Sequence, residues 1–463
     1  MLAGCSKLAE DIGIMEKDNY IYAYYQDIKN GKVTVGRWIE LVYKYIIDGL
    51  EEKRFFFDQK RANDAIEWIE KHCFHTEGPK APSPFVLELW EKAFYSCVYG
   101  IVDKNGLRQF REILLVVGRK NGKTKIASAA GDYEFRKGGY GSRVFCLAPK
   151  LEQADLVYND IWQMVMLDPE YQERKKELSI RDEHNKKILD DSDLPRHRMS
   201  DLAIPGTNST VKKIAFSAKK SDGFNPSLCI CDEVASWEGD AGLKQYEVMK
   251  SGMGARPEAI LLSVTTSGYI NDSIYDELMK RSTRFLLGDS KETKLLPFLY
   301  MIDDISKWND INELRKANPN LQSSISVDYM LEEIAVAEGS LSKKSEFITK
   351  YCNLKQNSSL AWIGSDIIEK ACGDPLQLDD FRGCYCVGGF DLSRTTDLTA
   401  ATVVIEKNGE LYVFARFWLP SERIEEATAI DGVPYNIYVQ RGLLTPSGSN
   451  IIDYNDVFDW LRN

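Results

Sequence analysis

The stretch Val117-Gly118-Arg119-Lys120-Asn121-Gly122-Lys123-Thr124 follows an apolar run at 113–117 and precedes a helical run at 125–135. The run before it is short, branched and ended by glycine, as a buried strand is. Strand, glycine turn and helix in that order leave backbone amides free at the helix N-terminus, where phosphate oxygens bind. Nucleotide binding also needs small residues in the turn, a lysine reaching the β/γ-phosphates and a hydroxyl for Mg²⁺. Gly122, Lys123 and Thr124 supply these. The usual pattern has glycine where Val117 stands; here glycine comes one place later, and Arg119-Lys120 put positive charge inside the loop. The segment reads as a phosphate loop using Gly118, Lys120, Asn121, Gly122, Lys123 and Thr124, with ATP and Mg²⁺ as cofactors.

Farther along, Leu228-Cys229-Ile230-Cys231-Asp232-Glu233 is an apolar strand ending in two carboxylates. Chemistry at a γ-phosphate needs one acid to hold Mg²⁺ and one to orient or deprotonate the attacking water. Adjacent side chains at a strand end point in different directions, so the pair can do both; Asp232 is assigned to the metal and Glu233 to catalysis. Ligands of open α/β sheets sit at that edge. The next strand, at 260–264, ends in Thr265-Thr266-Ser267-Gly268, whose hydroxyls could sense the γ-phosphate by hydrogen bonding.

Around this centre the pattern predicts an α/β fold. Residues 6–78 carry apolar residues at helical spacing and read as an all-helical lead-in, closed by Gly78-Pro79-Lys80-Ala81-Pro82-Ser83-Pro84. Short apolar runs at 113–117, 143–148, 213–217, 228–231 and 259–265 then predict a parallel-rich sheet covered on both faces. Helical periodicity returns at 300–356. Runs at 385–391, 400–406 and 411–417 predict three further strands, the last two joined at the turn Lys407-Asn408-Gly409. The expected domains are a helical region at 1–84, an ATPase domain at 85–300, a helical subdomain and linker at 301–364 and a last domain at 365–463.

Composition narrows the class. The chain has 463 residues, 44% hydrophobic and 28% charged, which suits two or three ordinary cores. No run approaches the roughly 18 apolar residues that span a bilayer. Leu2-Ala3-Gly4-Cys5 matches a lipoprotein box, but only Met1 precedes it, so the expectation is an intracellular, cytoplasmic protein. The 10 cysteines form no CxxC pair; Cys229/Cys231 and Cys384/Cys386 alternate as on one face of a buried strand. The 4 histidines lack metal-ligand spacing, which argues against zinc. A net charge of −11 argues against a generic basic coat for nucleic acid but allows a local basic face. Candidate DNA contacts are Arg196-His197-Arg198, Lys212-Lys213, Lys219-Lys220 and Lys343-Lys344, each also readable as a solvated face.

The segment Arg119-Lys120-Asn121-Gly122-Lys123-Thr124 resembles the deviant phosphate loop of the large terminase subunit of tailed phages. The segments at 148–154, 217–227, 317–321 and 389–393 are also similar to that family, so the resemblance spans roughly 85–417. It implies a RecA-like ATPase that threads double-stranded DNA into a procapsid, an RNase H-like nuclease, a homo-oligomeric ring on a portal protein and a small terminase subunit as partner. Under it, Thr265, Thr266 and Ser267 form a coupling motif. Arg119 is either a transition-state arginine, within the subunit or toward a neighbour, or a plain phosphate clamp. Leu89-Trp90-Glu91 has glutamate where the family often has glutamine, so no base-recognition role transfers. Two other readings stay in view, a helicase-like DNA-dependent ATPase and an inert prophage remnant.

In the last domain, Asp391 resembles the family's central metal ligand and Asp397 a neighbour, for Mg²⁺ or Mn²⁺. A two-metal nuclease needs several converging carboxylates. The family's further acids lie on a fourth strand and a later helix, and the end of the chain looks like the helix before that strand. The expectation is therefore an incomplete nuclease site.

Overall fold

Nearly continuous runs of branched apolar residues can satisfy a strand buried on both faces, and four strands of the main sheet, one of them at its edge, are buried at every position. The computed structural model of the chain describes residues 19–179, 190–216, 224–237, 239–270, 273–356, 371–373, 376–395, 397–431, 433 and 435–462. Two units separate by their internal contacts, Met1–Gly364 and Ser365–Asn463.

In the first unit, β1 (Phe56–Phe57) and β2 (Ile101–Val102) pair antiparallel. An eight-stranded sheet comprises β3 (Glu112–Val116), β4 (Arg143–Ala148), β5 (Arg196–His197), β6 (Leu202–Ile204), β7 (Ser209–Ala215), β8 (Leu228–Asp232), β9 (Ile260–Thr265) and β10 (Leu295–Leu299). Its order is β10-β3-β9-β8-β4-β7-β6-β5. The six strands from β10 to β7 run parallel, and β6 and β5 continue the edge antiparallel. Because β9 lies between β3 and β8, the turns leaving all three strands meet at one edge of the sheet.

The lead-in is not all helical. Helices Tyr20–Lys29, Arg37–Glu51 and Gln59–His72 form, but Phe56–Phe57 pairs with β2, and the buried Phe55 beside it packs on Tyr45 and Phe110. Tyr43 packs on Phe298 of β10, and Tyr45 packs on Phe285. The part of the predicted lead-in at 6–18 lies outside the described residues. Arg136, on the helix Lys123–Lys137, joins Asp132, Asp168 and the face of Trp68, and so ties the lead-in to the helix that follows the loop. Sequence patterning also missed β10, whose Pro297 interrupts an otherwise apolar run; proline is tolerated there because β10 is an edge strand.

Helices Ile311–Leu314, Val327–Glu338 and Leu341–Tyr351 gather around a smaller core that includes Trp308, Leu314, Met330, Phe347 and Tyr351.

In the second unit, β11 (Cys386–Asp391), β12 (Thr399–Lys407), β13 (Glu410–Pro420) and β14 (Thr445–Ser447) form a sheet in that order. The first two pairings are antiparallel and β13/β14 is parallel. Asn408 and Gly409 take φ of 58° and 81°, the left-handed pair that a tight hairpin requires. Two expectations are corrected here. A short strand beyond the three predicted, β14, lies beside β13 and precedes the helix Tyr454–Arg462; its residues Thr445, Pro446 and Ser447 include no acid and are too few to show alternation. β11 is exposed along its whole length, so Cys386 faces solvent and Cys384 is half-buried, whereas Cys229 and Cys231 are buried in β8 as the alternation predicts. Among the described residues, no helix is long and apolar enough to cross a membrane.

Candidate functional site

The helix Lys123–Lys137 begins on Gly122 at φ +83°, a left-handed turn that an L side chain would strain. Its first amides have no intrahelical carbonyl. The preceding loop is braced from behind. A Cβ on Gly118 would lie 2.1 Å from Asn318 Oδ1, so only glycine fits. Gly118 donates its amide to the Ala317 carbonyl at 3.0 Å, and Arg119 donates its amide to the Lys350 carbonyl at 2.8 Å. Buried Asn121 donates to the Gly118 carbonyl at 3.0 Å and to Asn318 Oδ1 at 2.9 Å. Its own Oδ1 accepts the Asn320 amide at 2.9 Å. The Lys120 carbonyl accepts from Ser324 Oγ at 2.8 Å. The Asn121 side chain therefore shapes the loop from within. The Arg119 guanidinium stands 3.7 Å from Glu346 on the helix Leu341–Tyr351.

Across the edge, Lys123 Nζ lies 2.9 Å from Glu233 Oε1. Glu233 holds φ +49°, an uncommon backbone state for a non-glycine residue and one often kept where function requires it. Its amide donates to the Val264 carbonyl at 2.8 Å and to Asp232 Oδ1 at 3.0 Å. Burial pushes the Asp232 carboxyl up to about 7, reinforced by the Glu233 charge beside it. Burial also raises Glu233, but Lys123 outweighs it and holds that carboxyl below its ordinary range. The result is one ionised carboxylate paired to the loop lysine and one desolvated acid short of a cation. Thr265 Oγ1 lies 3.5 Å from Glu233 Oε2 and also accepts the Ala235 amide at 3.2 Å. Lys350 Nζ donates to Thr266 Oγ1 at 3.1 Å and to the Ser267 carbonyl at 3.2 Å. The Ser267 amide donates to Asn353 Oδ1 at 3.2 Å.

Gly118 to Thr124, Asp232, Glu233 and Thr265 to Ser267 thus share one sheet edge. Sequence reasoning missed the residues behind them. Trp90 Nε1 donates to Asn320 Oδ1 at 2.7 Å, and Asn320 Nδ2 donates to the Asn121 carbonyl at 3.1 Å and to Glu91 Oε1 at 3.4 Å. Burial lifts the Glu91 carboxyl to about 7. The run 317–321 looked distinctive in sequence, but nothing in it indicates which loop it braces. Lys350 carries no motif at all.

The second unit is different. Asp391 ends the exposed β11, and the exposed Asp397 donates its amide to Ser393 Oγ at 3.2 Å. Among the described residues, no three His, Cys, Asp or Glu side chains converge to hold a metal ion. Asp391 and Asp397 alone do not fit a two-metal centre, which needs several carboxylates. Most basic candidates have local partners: Arg196 with Asp191, Arg198 with Asp201, Lys213 with Asp155 and Lys343 with Glu346, while Lys344 lies over Trp308. Lys212 lines a cavity with Arg143 and Arg256. Lys219-Lys220 lie outside the described residues.

A braced phosphate loop after one parallel strand, with an acid pair at the end of a nearby parallel strand, defines a P-loop nucleotide hydrolase. The model of the terminase large-subunit ATPase domain matches residues 89–284, and that of the terminase large-subunit endonuclease domain matches 291–462. The chain belongs to the terminase large-subunit family, and these two domains imply nucleotide and divalent-metal use. It is 25% identical over 406 residues to the terminase large subunit of Enterobacteria phage HK97, covering 86% of this chain and 73% of that one. It is 27% identical over 252 residues to Protein YmfN of Escherichia coli (strain K12), covering 52% of this chain and only 54% of that protein. The crystal structure of the HK97 large terminase has the same fold, with a TM-score of 0.51 at 23% identity, covering 87% of this chain and 77% of that one.

Proposed function

We propose that this chain is the ATP-hydrolysing motor of a phage DNA-packaging machine, moving double-stranded DNA into a procapsid in the cytoplasm of the host cell. The observation that carries the reading is the ion pair between Lys123 and Glu233, which joins the phosphate loop to the acid strand at 2.9 Å. The loop amides from Gly122 onward wrap the phosphates, and Lys123 neutralises the β/γ oxygens. Nucleotide draws Lys123 to the phosphates and leaves Glu233 an anion positioned to take a proton from the attacking water. A divalent cation, Mg²⁺, fits the desolvated Asp232 together with Thr124, and when bound it neutralises charge on the phosphates. Thr265, Thr266 and Ser267 adjoin Glu233 and carry the loss of the γ-phosphate outward. Arg119 is assigned to the same site as a cation that turns from Glu346 to phosphate.

Membership of the terminase family supports a ring of copies on a portal protein and delivery of DNA by a small terminase subunit. A motor reading makes a direct prediction. The chain should displace a triplex-forming strand from linear duplex DNA only when ATP is present, and Lys123→Ala should stop it. ATP turnover without any displacement, in the presence of portal and small subunit, would instead favour a DNA-dependent ATPase with no packaging role.

A further inference from the structure

The helix Leu341–Tyr351 ends against the nucleotide site, and Lys350 in its last turn touches that site twice. Its carbonyl accepts the Arg119 amide, which fixes one side of the phosphate loop. Its ammonium holds the turn after β9 through Thr266 Oγ1 and the Ser267 carbonyl. Burial holds this ammonium below its ordinary pKa, although the Glu233 carboxylate pulls it upward; Arg119 and Lys123 are nearby like charges that lower it further. Arg119, Lys123 and Lys350 thus share two carboxylates, Glu233 and Glu346, which leaves a net positive charge that a polyanion relieves. Lys123 serves the β/γ-phosphates, and Glu233 faces the attacking water. A cation within electrostatic reach of both lies toward the γ end of the nucleotide.

We propose that Lys350 is a further phosphate-contacting cation, selective for the γ-phosphate, through which the helical segment at 302–354 distinguishes ATP from ADP. This rests on the ATPase reading above. With a triphosphate present the ammonium turns to the γ oxygens; when that group leaves, it returns to Thr266 and Ser267. Asn353 strengthens the link, because it accepts the Ser267 amide and donates to the Tyr300 carbonyl at 2.7 Å. Hydrogen bonds therefore tie turn, helix end and phosphate loop into one connected group, and the helix bearing Lys350 packs into the small core around Trp308 and Phe347.

The test is equilibrium binding of a non-hydrolysable ATP analogue and of ADP, with Mg²⁺, to the full chain carrying Lys350→Met, Lys350→Gln or Lys350→Arg. Loss of a charge-assisted contact to phosphate should weaken the ATP analogue by about ten- to a hundredfold while ADP changes by less than about threefold. Glutamine keeps hydrogen-bond donors for Thr266 and Ser267 but has no charge, so it should behave like methionine; arginine should restore much of the selectivity. Equal losses for both nucleotides, or a glutamine variant that binds like the wild type, would reduce Lys350 to a structural strap and overturn the proposal. Should the methionine variant fail to fold, the glutamine and arginine pair decides alone. Lys123→Ala separates the two readings. If it binds both nucleotides normally, the nucleotide site itself is misassigned; if it loses both while Lys350→Gln loses neither, only the γ-phosphate role falls.

Discussion

Asp232 and Glu233 are neighbours with opposite fates, because Lys123 reaches only one of them. Asp232, pushed to about 7, keeps its proton in the folded chain over the range where an unfolded aspartate has lost it. Folded molecules therefore bind more protons between roughly pH 4 and pH 7, and stability falls as pH rises through that window and stays low above it. Asp232→Asn should stabilise the nucleotide-free chain by about 1–3 kcal/mol at pH 8 and by less at pH 5, read by chemical denaturation, while abolishing turnover. A variant less stable than wild type at pH 8 would show that the carboxylate already has a cationic partner. The same titration governs the metal. The concentration of Mg²⁺ that half-saturates turnover should fall as pH rises from 6 to 8, because the cation needs the ionised carboxylate; a flat or reversed dependence would remove Asp232 from the metal site.

At the scale of elements, the phosphate loop is held in shape by a second loop rather than by its own sequence. Asn121, Asn318 and Asn320 exchange hydrogen bonds out of reach of water. Asn318→Ala leaves the Asn121 amide short of a buried acceptor and should cost about 1–3 kcal/mol, with faster hydrogen exchange at 118–121. Unchanged exchange there would mean that the brace is incidental. Elements of this kind divide what could be read in advance from what could not. The loop, the acid strand and the turn at 265–267 were legible because each needs particular residue types beside a strand end, and the strand periodicity marked those ends. The brace was not, because hydrogen bonds between residues some two hundred positions apart leave no periodicity. Lys350 was hidden for the same reason: on its own helix it reads as one more cation near a C-terminus. β14 and the exposure of β11 escaped because three residues cannot alternate and an edge strand can carry the pattern of a buried one.

At the scale of the molecule, the first unit brings the phosphate loop, Asp232 and Glu233 to one sheet edge, whereas the second offers Asp391 and Asp397 without converging partners among the described residues. The chain by itself should leave supercoiled plasmid uncut with Mg²⁺ or Mn²⁺; cutting that disappears in Asp391→Ala would show that the carboxylates find partners after all. The proposed engine lies at the sheet edge of the first unit. Its most direct test measures ATP binding and phosphate release side by side for the wild type, Lys123→Ala and Glu233→Gln, with linear duplex DNA present. Wild type should turn over. Glu233→Gln should bind ATP within about threefold of wild type yet release phosphate at least about a hundredfold more slowly, as loss of a general base predicts. Lys123→Ala should lose both binding and turnover, whereas phosphate release at the wild-type rate from Glu233→Gln would contradict the account.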